Sequence, residues 1–359
     1  MKDRLDRLKS IITKNNLDAI VISSVPNIIY LTGYSGFSYF EREAFLIITS
    51  RENFLLTDGR YSEAVSKVPG FNLLEISNSN SLDDVLKILS KKIKRIGLEE
   101  DDVTLSEGKR FKKYFKLHPA KDLVSLRTVK SEDEIKKIKI ACRIGDETFS
   151  FILGKIKQGI SEKEVAHQVE MFVKEKGADL SFPSIVAFGK NSSIPHYQTG
   201  NEKLRINNMV LLDFGVRVDN YCSDMTRTIF FGKADKKIKE IYNTVSTSQQ
   251  LTIKQLNNLL IDKKTFEASF IDSIARNHIV KQGFPTIPHS LGHGVGIEVH
   301  EPPRLSPRSN EILKNGMVFS IEPGIYLPNI GGVRIEDLVF IRDNKIELLT
   351  HSPKDLIEI

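Results

Sequence analysis

The sequence has 359 residues, 40% of them hydrophobic, and 52 Lys and Arg stand against 46 Asp and Glu, so the net charge of +6 is a thin excess spread along the chain. That length exceeds one comfortable core and predicts two domains, while the near-even charge balance argues against a nucleic-acid-binding surface. The basic stretch Lys109–His118, despite its interleaved aromatics, reads as another Lys-rich helical face.

The opening residues mix both charge signs around Leu5, Leu8 and Ile12, which predicts an amphipathic helix. No apolar run reaches membrane-spanning length, so the expectation is a cytoplasmic protein with no membrane association. Cys142 and Cys222 are too few for a disulfide framework and lack the spacing of a structural zinc site, so both read as core thiols. Strand-like runs at Ala19–Ser23, Ala44–Thr49 and Phe54–Thr57 make residues 1–127 an α/β domain.

A second domain, 128–359, opens with the capping box Ser131-Glu-Asp-Glu134 and a long helix carrying Ile135, Ile138, Cys142 and Phe149 on its apolar face. Helices near 131–156 and 161–177, the second opened by Ser161-Glu-Lys-Glu164 and closed at Gly177, precede a strand-rich stretch from Phe182 to Phe231. The pattern then repeats. Helices near 235–258 and 262–282, ending at Gly283, lead into strands Met317–Ile321 and Val333–Ile341. Two helix-pair-plus-sheet halves predict a pseudo-symmetric α+β domain in which each half supplies two strand-borne carboxylates to a shared site.

In the first half, two apolar runs flank Asp219-Asn220, residues suited to a two-residue hairpin turn. With that turn, Asp213 faces Thr226 and lies diagonal to Asp224, so both acids project from one face and repel unless a cation sits between them. Solvated acids near a turn are the ordinary alternative. In the second half, Phe319-Ser-Ile-Glu322-Pro-Gly places an acid inside an apolar strand, and Arg334 and Glu336, two apart, share a strand face. Three of the eight histidines, His289, His293 and His300, fall in one segment with Gly292, Gly294 and Gly296, which predicts a loop whose backbone approaches something closely. Acids and histidines so clustered point to metal chemistry. An oxygen-rich set with one imidazole suits Mn²⁺ first, with Co²⁺, Zn²⁺ or Fe²⁺ as alternatives, and two bridging acids hold two ions suited to hydrolysis of an acyl bond. His196 alone reads as structural.

These segments resemble, in order and over essentially the whole chain, the "pita-bread" metallopeptidases that include aminopeptidase P, prolidase and methionine aminopeptidase. The resemblance rests on Asp213-Phe-Gly, Ser223-Asp224-Met-Thr-Arg-Thr228, His289-Ser-Leu-Gly-His293-Gly-Val-Gly296, Ser320-Ile-Glu322-Pro-Gly324 and Val333-Arg-Ile-Glu336-Asp337. It implies that Asp213, Asp224, His293, Glu322 and Glu336 hold two divalent ions, with Asp224 and Glu336 bridging and Glu322 also moving the proton of the attacking water. It implies catalytic roles for His196 and His300 beside the reacting amide, and substrate contacts for His289, Arg334 and Tyr326. The first domain resembles the creatinase-type N-terminal domain through Asn27-Ile-Ile-Tyr-Leu-Thr-Gly33 and Leu56-Thr-Asp58-Gly-Arg60-Tyr61. That combination implies the Xaa-Pro branch, acting as a homodimer on proline-containing peptides or dipeptides. A metal-free creatinase-like C–N hydrolase and a non-catalytic binding protein are the alternatives, and five intact ligand positions argue against both.

Overall fold

Alternating apolar segments in the first third of the chain build a mixed six-stranded sheet in a computed structural model that describes residues 2–120 and 122–359. The chain divides into two units, Met1–Arg127 and Thr128–Ile359. In the first, strands β1 (Ala19–Ile22), β2 (Ala44–Thr49), β3 (Asn53–Asp58), β4 (Asn72–Ile76), β5 (Arg95–Leu98) and β6 (Lys116–Pro119) lie in the order β4-β3-β2-β1-β5-β6. β1 pairs antiparallel with β2 and parallel with β5, and all four of its residues are buried, as a central strand covered on both faces requires. Around the sheet run α1 (Lys2–Lys14), α2 (Val25–Thr32), α3 (Ser62–Val65), α4 (Leu82–Leu89), α5 (Leu105–Lys112) and α6 (Ser125–Thr128). The Asn27–Gly33 motif is α2, whose first turn is held by the Glu99 carboxylate accepting from the Ser24 N–H at 2.8 Å and from Asn27.

The second unit contains α7 (Glu132–Leu153) and α8 (Glu162–Glu175), each opened by the expected capping box, in which the Ser131 and Ser161 hydroxyls accept from the Glu134 and Glu164 N–H groups. Strands β7 (Asp179–Leu180), β8 (Ile185–Phe188), β9 (Asn208–Phe214), β10 (Val216–Val218), β11 (Tyr221–Cys222) and β12 (Met225–Phe231) follow. Then come α9 (Lys236–Ile261) and α10 (Ala268–Lys281). α10 begins at Ala268, later than residue 262, because Lys263 adopts a left-handed φ of +52° after the end of α9 and breaks the helical path. The last strands are β13 (Gly292–Gly294), β14 (Glu301–Leu305), β15 (Val318–Ile321), β16 (Gly324–Leu327), β17 (Gly331–Arg334), β18 (Asp337–Arg342) and β19 (Lys345–Leu348).

β9 and β12 form the expected hairpin, with Asp213 opposite Thr226 and Asp219 and Asn220 at φ +47° and +71°, the geometry of a type I′ turn. The hairpin changes sheets halfway. β9 lies between β12 and β8 in one sheet, whereas β10 lies between β11 and β7 in another, and Asp224 occupies the joint. The second hairpin repeats the device and corrects the reading of Val333–Ile341 as one strand. β17 pairs with β16 and β18 with β15, which leaves Ile335 and Glu336 in the joint. Glu322 likewise sits between β15 and β16, not inside a strand, because Pro323 has no N–H with which to continue the ladder. Among the described residues no helix is long and apolar enough to cross a membrane. Both cysteines are buried and free.

Candidate metal centre

Asp213 from β9, Asp224 and Glu336 from the two joints, Glu322 from the β15–β16 joint and His293 from β13 line one cavity of about 510 Å³, together with His196, His289, His300 and Arg334. Asp224, His293 and Glu336 each offer a ligand atom within 4.8 Å of the others. His293 Nε2 lies 3.3 Å from Glu322 Oε1 and 3.7 Å from Asp224 Oδ2. His293 Nδ1 donates to the Gly294 carbonyl at 3.2 Å, which turns Nε2 toward the acids.

Gly292 and Gly294 lie in strand β13 rather than the expected loop, whereas Gly296 lies beyond the strand. A Cβ at Gly292 would stand 1.9 Å from the Ser320 carbonyl oxygen, so the strands of this sheet can close on His293 only if that position is glycine.

Thr226 ties the hairpins together. Its hydroxyl donates to Glu336 Oε2 at 2.7 Å and accepts from Arg334 Nε at 2.9 Å. Arg334 Nη2 donates to Asp213 Oδ2 at 2.5 Å, so the meeting of Arg334 and Glu336 runs through Thr226 and not through the alternation of a single strand. Arg334 Nη1 also donates to the Tyr326 hydroxyl at 2.9 Å, and that hydroxyl donates to His289 Nε2 at 2.8 Å, while His289 Nδ1 donates to the Ser290 carbonyl at 2.8 Å. Tyr326 thus backs His289 from behind the cavity wall. His196 and His300 are the exposed histidines at the cavity, and the His300 ring meets His293 edge-on at 4.2 Å.

Electrostatics follow from this crowding. Burial, then the charges of Glu336 and Asp213, raise Asp224 well above the usual carboxylate range. Burial and then Glu322 push Glu336 up to about 8, and burial raises Asp213 against the pull of Arg334. Glu322 goes the other way: burial opposes its ionisation, but the hydrogen bond and charge of His293 outweigh that and hold it at about 2. His293 rises to about 9 by the same pairing, again against burial. Asp224 Oδ1 and Glu336 Oε1 are buried and make no hydrogen bond. A divalent cation fits this donor set, because it supplies a partner for both oxygens and removes the repulsion that raises the three acids.

The sequence reading passed over Thr226, the apolar wall residues Phe182, Ile185 and Val299, and Arg304. Thr226 had one available signal, its position opposite Asp213. Arg304 had none, since an arginine after two prolines looks like any exposed strand residue.

Asp213, Asp224, Glu322, Glu336 and His293 in one cavity, at the meeting of two sheet-switching hairpins, define the class of a metal-dependent hydrolase. Residues 136–343 match the model of metallopeptidase family M24, and residues 4–129 match the creatinase/prolidase N-terminal domain. The chain belongs to metallopeptidase family M24, whose members imply divalent metal ions, and a creatinase-type domain precedes the pita-bread catalytic domain in its sequence. It is 37% identical over 361 residues to the uncharacterized peptidase YqhT of Bacillus subtilis (strain 168), covering 99% of each chain. Among solved structures, the Xaa-Pro dipeptidase from Bacillus anthracis superposes with a TM-score of 0.91 at 34% identity, covering 100% of this chain and 99% of that one. The X-Pro aminopeptidase from Thermotoga maritima MSB8 superposes at 0.86 and 31% identity, covering 99% and 100%.

Proposed function

We propose that this peptidase hydrolyses Xaa-Pro dipeptides, with two divalent ions held by Asp213, Asp224, His293, Glu322 and Glu336. The observation that carries the reading is the convergence of these five side chains on one cavity, with an unpartnered buried oxygen on each of Asp224 and Glu336, the two acids assigned as bridges. Four carboxylates balance the charge of two divalent ions, and the oxygen-rich set favours Mn²⁺, then Co²⁺, Zn²⁺ or Fe²⁺. When bound, such ions supply Lewis acidity toward the scissile carbonyl and make water a better nucleophile at neutral pH.

The protein's own groups do the rest. Glu322 accepts the proton of the attacking water and returns it to the leaving nitrogen, which in proline carries no hydrogen of its own before cleavage. His196 and His300 flank the reacting amide, and His289, held by Tyr326 and Arg334, orients the substrate. Phe182, Ile185 and Val299 offer apolar surface to the proline ring.

The relatives' names include both a dipeptidase and an aminopeptidase, and Arg304 favours the former. Its guanidinium reaches the cavity, donates to Ser290 Oγ at 2.9 Å and pairs with no carboxylate among the described residues, which leaves a cation for the free carboxylate of a C-terminal proline. The test is a panel of Xaa-Pro, Xaa-Pro-Yaa and Xaa-Ala peptides. Xaa-Pro is expected to be cleaved and Xaa-Ala spared; faster cleavage of Xaa-Pro-Yaa makes the enzyme an aminopeptidase, and cleavage of Xaa-Ala removes the proline specificity. The homodimer that the creatinase-type domain implies belongs to the same reading and is tested by sedimentation.

A further inference from the structure

Gln249 lies in α9 and is fully buried, at 0% exposure. Its Nε2 donates to the carbonyl oxygens of Ile321 at 3.1 Å and Ile335 at 3.2 Å. Each of those residues immediately precedes a proposed ligand, Glu322 in one case and Glu336 in the other. Both partners are acceptors, so only the amide nitrogen can face them and the side chain's orientation is fixed by chemistry. The two carbonyls sit where the second hairpin changes sheets, at the end of β15 and in the gap between β17 and β18, where the strand ladders run out of donors.

The same side chain leaves its Oε1 buried with no partner. A residue present only to fill space has no reason to carry that unsatisfied oxygen, since Met or Leu fills a similar volume without it. What Gln249 does that an apolar residue cannot is to hold two chain segments by one planar group at a set separation.

We infer that Gln249 is a positioning residue for Glu322 and Glu336, fixing the backbone at both joints so that the two carboxylates converge on the same ions. The inference rests on the ligand assignment above. Groups of this kind, which orient ligands without touching the metal, typically change metal affinity or activity by roughly 10–100-fold when removed.

The test uses the full-length protein stripped with a chelator and titrated with Mn²⁺ by calorimetry, comparing wild type, Gln249→Met and Gln249→His, with far-UV circular dichroism to confirm folding. Gln249→Met is expected to weaken Mn²⁺ binding roughly tenfold or more and to lower kcat at saturating metal, while KM shifts by less than about twofold. Gln249→His keeps one donor and is expected to fall between the two. The absorption bands of Co²⁺-loaded protein should shift in both variants, which a purely structural role would not cause. If wild type binds Mn²⁺ and both folded variants bind it within about twofold of wild type, the inference fails while the ligand assignment stands. Wild type that binds no Mn²⁺ removes the ligand assignment and this inference together. Failure of both variants to fold assigns Gln249 to stability alone and overturns the positioning role.

Discussion

The two hairpins of the catalytic unit use one device and stabilise it differently. In the aspartate hairpin the joint is held by nearby groups: Ser181 gives its N–H to the Gly215 carbonyl at 2.9 Å and its hydroxyl to the Ser223 carbonyl at 3.1 Å, directly before Asp224. Ser223 Oγ also accepts from the Val216 N–H at 3.0 Å, across the same hairpin. A Cβ at Gly215 would stand 2.1 Å from the Ser223 carbonyl oxygen, so the arms cross too closely for any other residue. In the glutamate hairpin the carbonyls before Glu322 and Glu336 are held by Gln249 on a helix more than seventy residues upstream of the nearer one. One arm of the centre is therefore organised by its own hairpin and a preceding loop, and the other only when α9 has packed.

The largest effects are expected at the ligands. If both hairpins serve one centre, Asp224→Asn and Glu336→Gln should each lower kcat/KM by at least roughly a thousandfold, and Glu322→Gln should abolish turnover with the fold retained. Chelation of the wild type should do the same, with recovery on adding Mn²⁺ or Co²⁺. Near-normal turnover by either hairpin's variant would mean that its acid is not part of the centre, and full activity of metal-free protein would reject the mechanism.

A smaller effect is expected at the link between the hairpins. Thr226→Val leaves Arg334 Nε and Glu336 Oε2 without their shared partner, and is expected to lower kcat roughly 10–100-fold and to cost about 1–3 kcal/mol of stability. Steady-state kinetics beside urea unfolding separates the two; an unchanged kcat would show that the hairpins hold their acids independently. The smallest effect belongs to the turn of the aspartate hairpin. Asn220→Ala, at φ +71°, should cost about 1 kcal/mol in urea unfolding with kcat unchanged, and Asn220→Gly should be nearly neutral. A fall in kcat for Asn220→Ala would mean that the turn reaches the site after all.

The same contrast separates what was legible in the sequence from what was not. The capping boxes at Ser131 and Ser161, the turn at Asp219-Asn220 and the register that sets Asp213 opposite Thr226 were all readable, because each depends on residues within a few positions of one another or on a two-residue loop. Asp213, Asp224, Glu322, Glu336, His289, His293 and His300 were also legible, since the chemistry of a cluster shows in residue type, whereas His196 entered only through the family resemblance and Glu301 was missed.

The joints were not readable, and neither were the Thr226 bridge, the grip of Gln249 on two distant carbonyls and the turn of Arg304 into the cavity. A strand pattern says which side chains alternate but not which neighbour each half of the strand will pair with. Sheet membership is decided by partners outside the segment itself, so Val333–Ile341 reads as one strand until β15 and β16 each claim one end of it. Local sequence determined the parts and their chemistry, while the different partners claimed by each half of a strand in the folded protein decided where the chain would bend to bring them together.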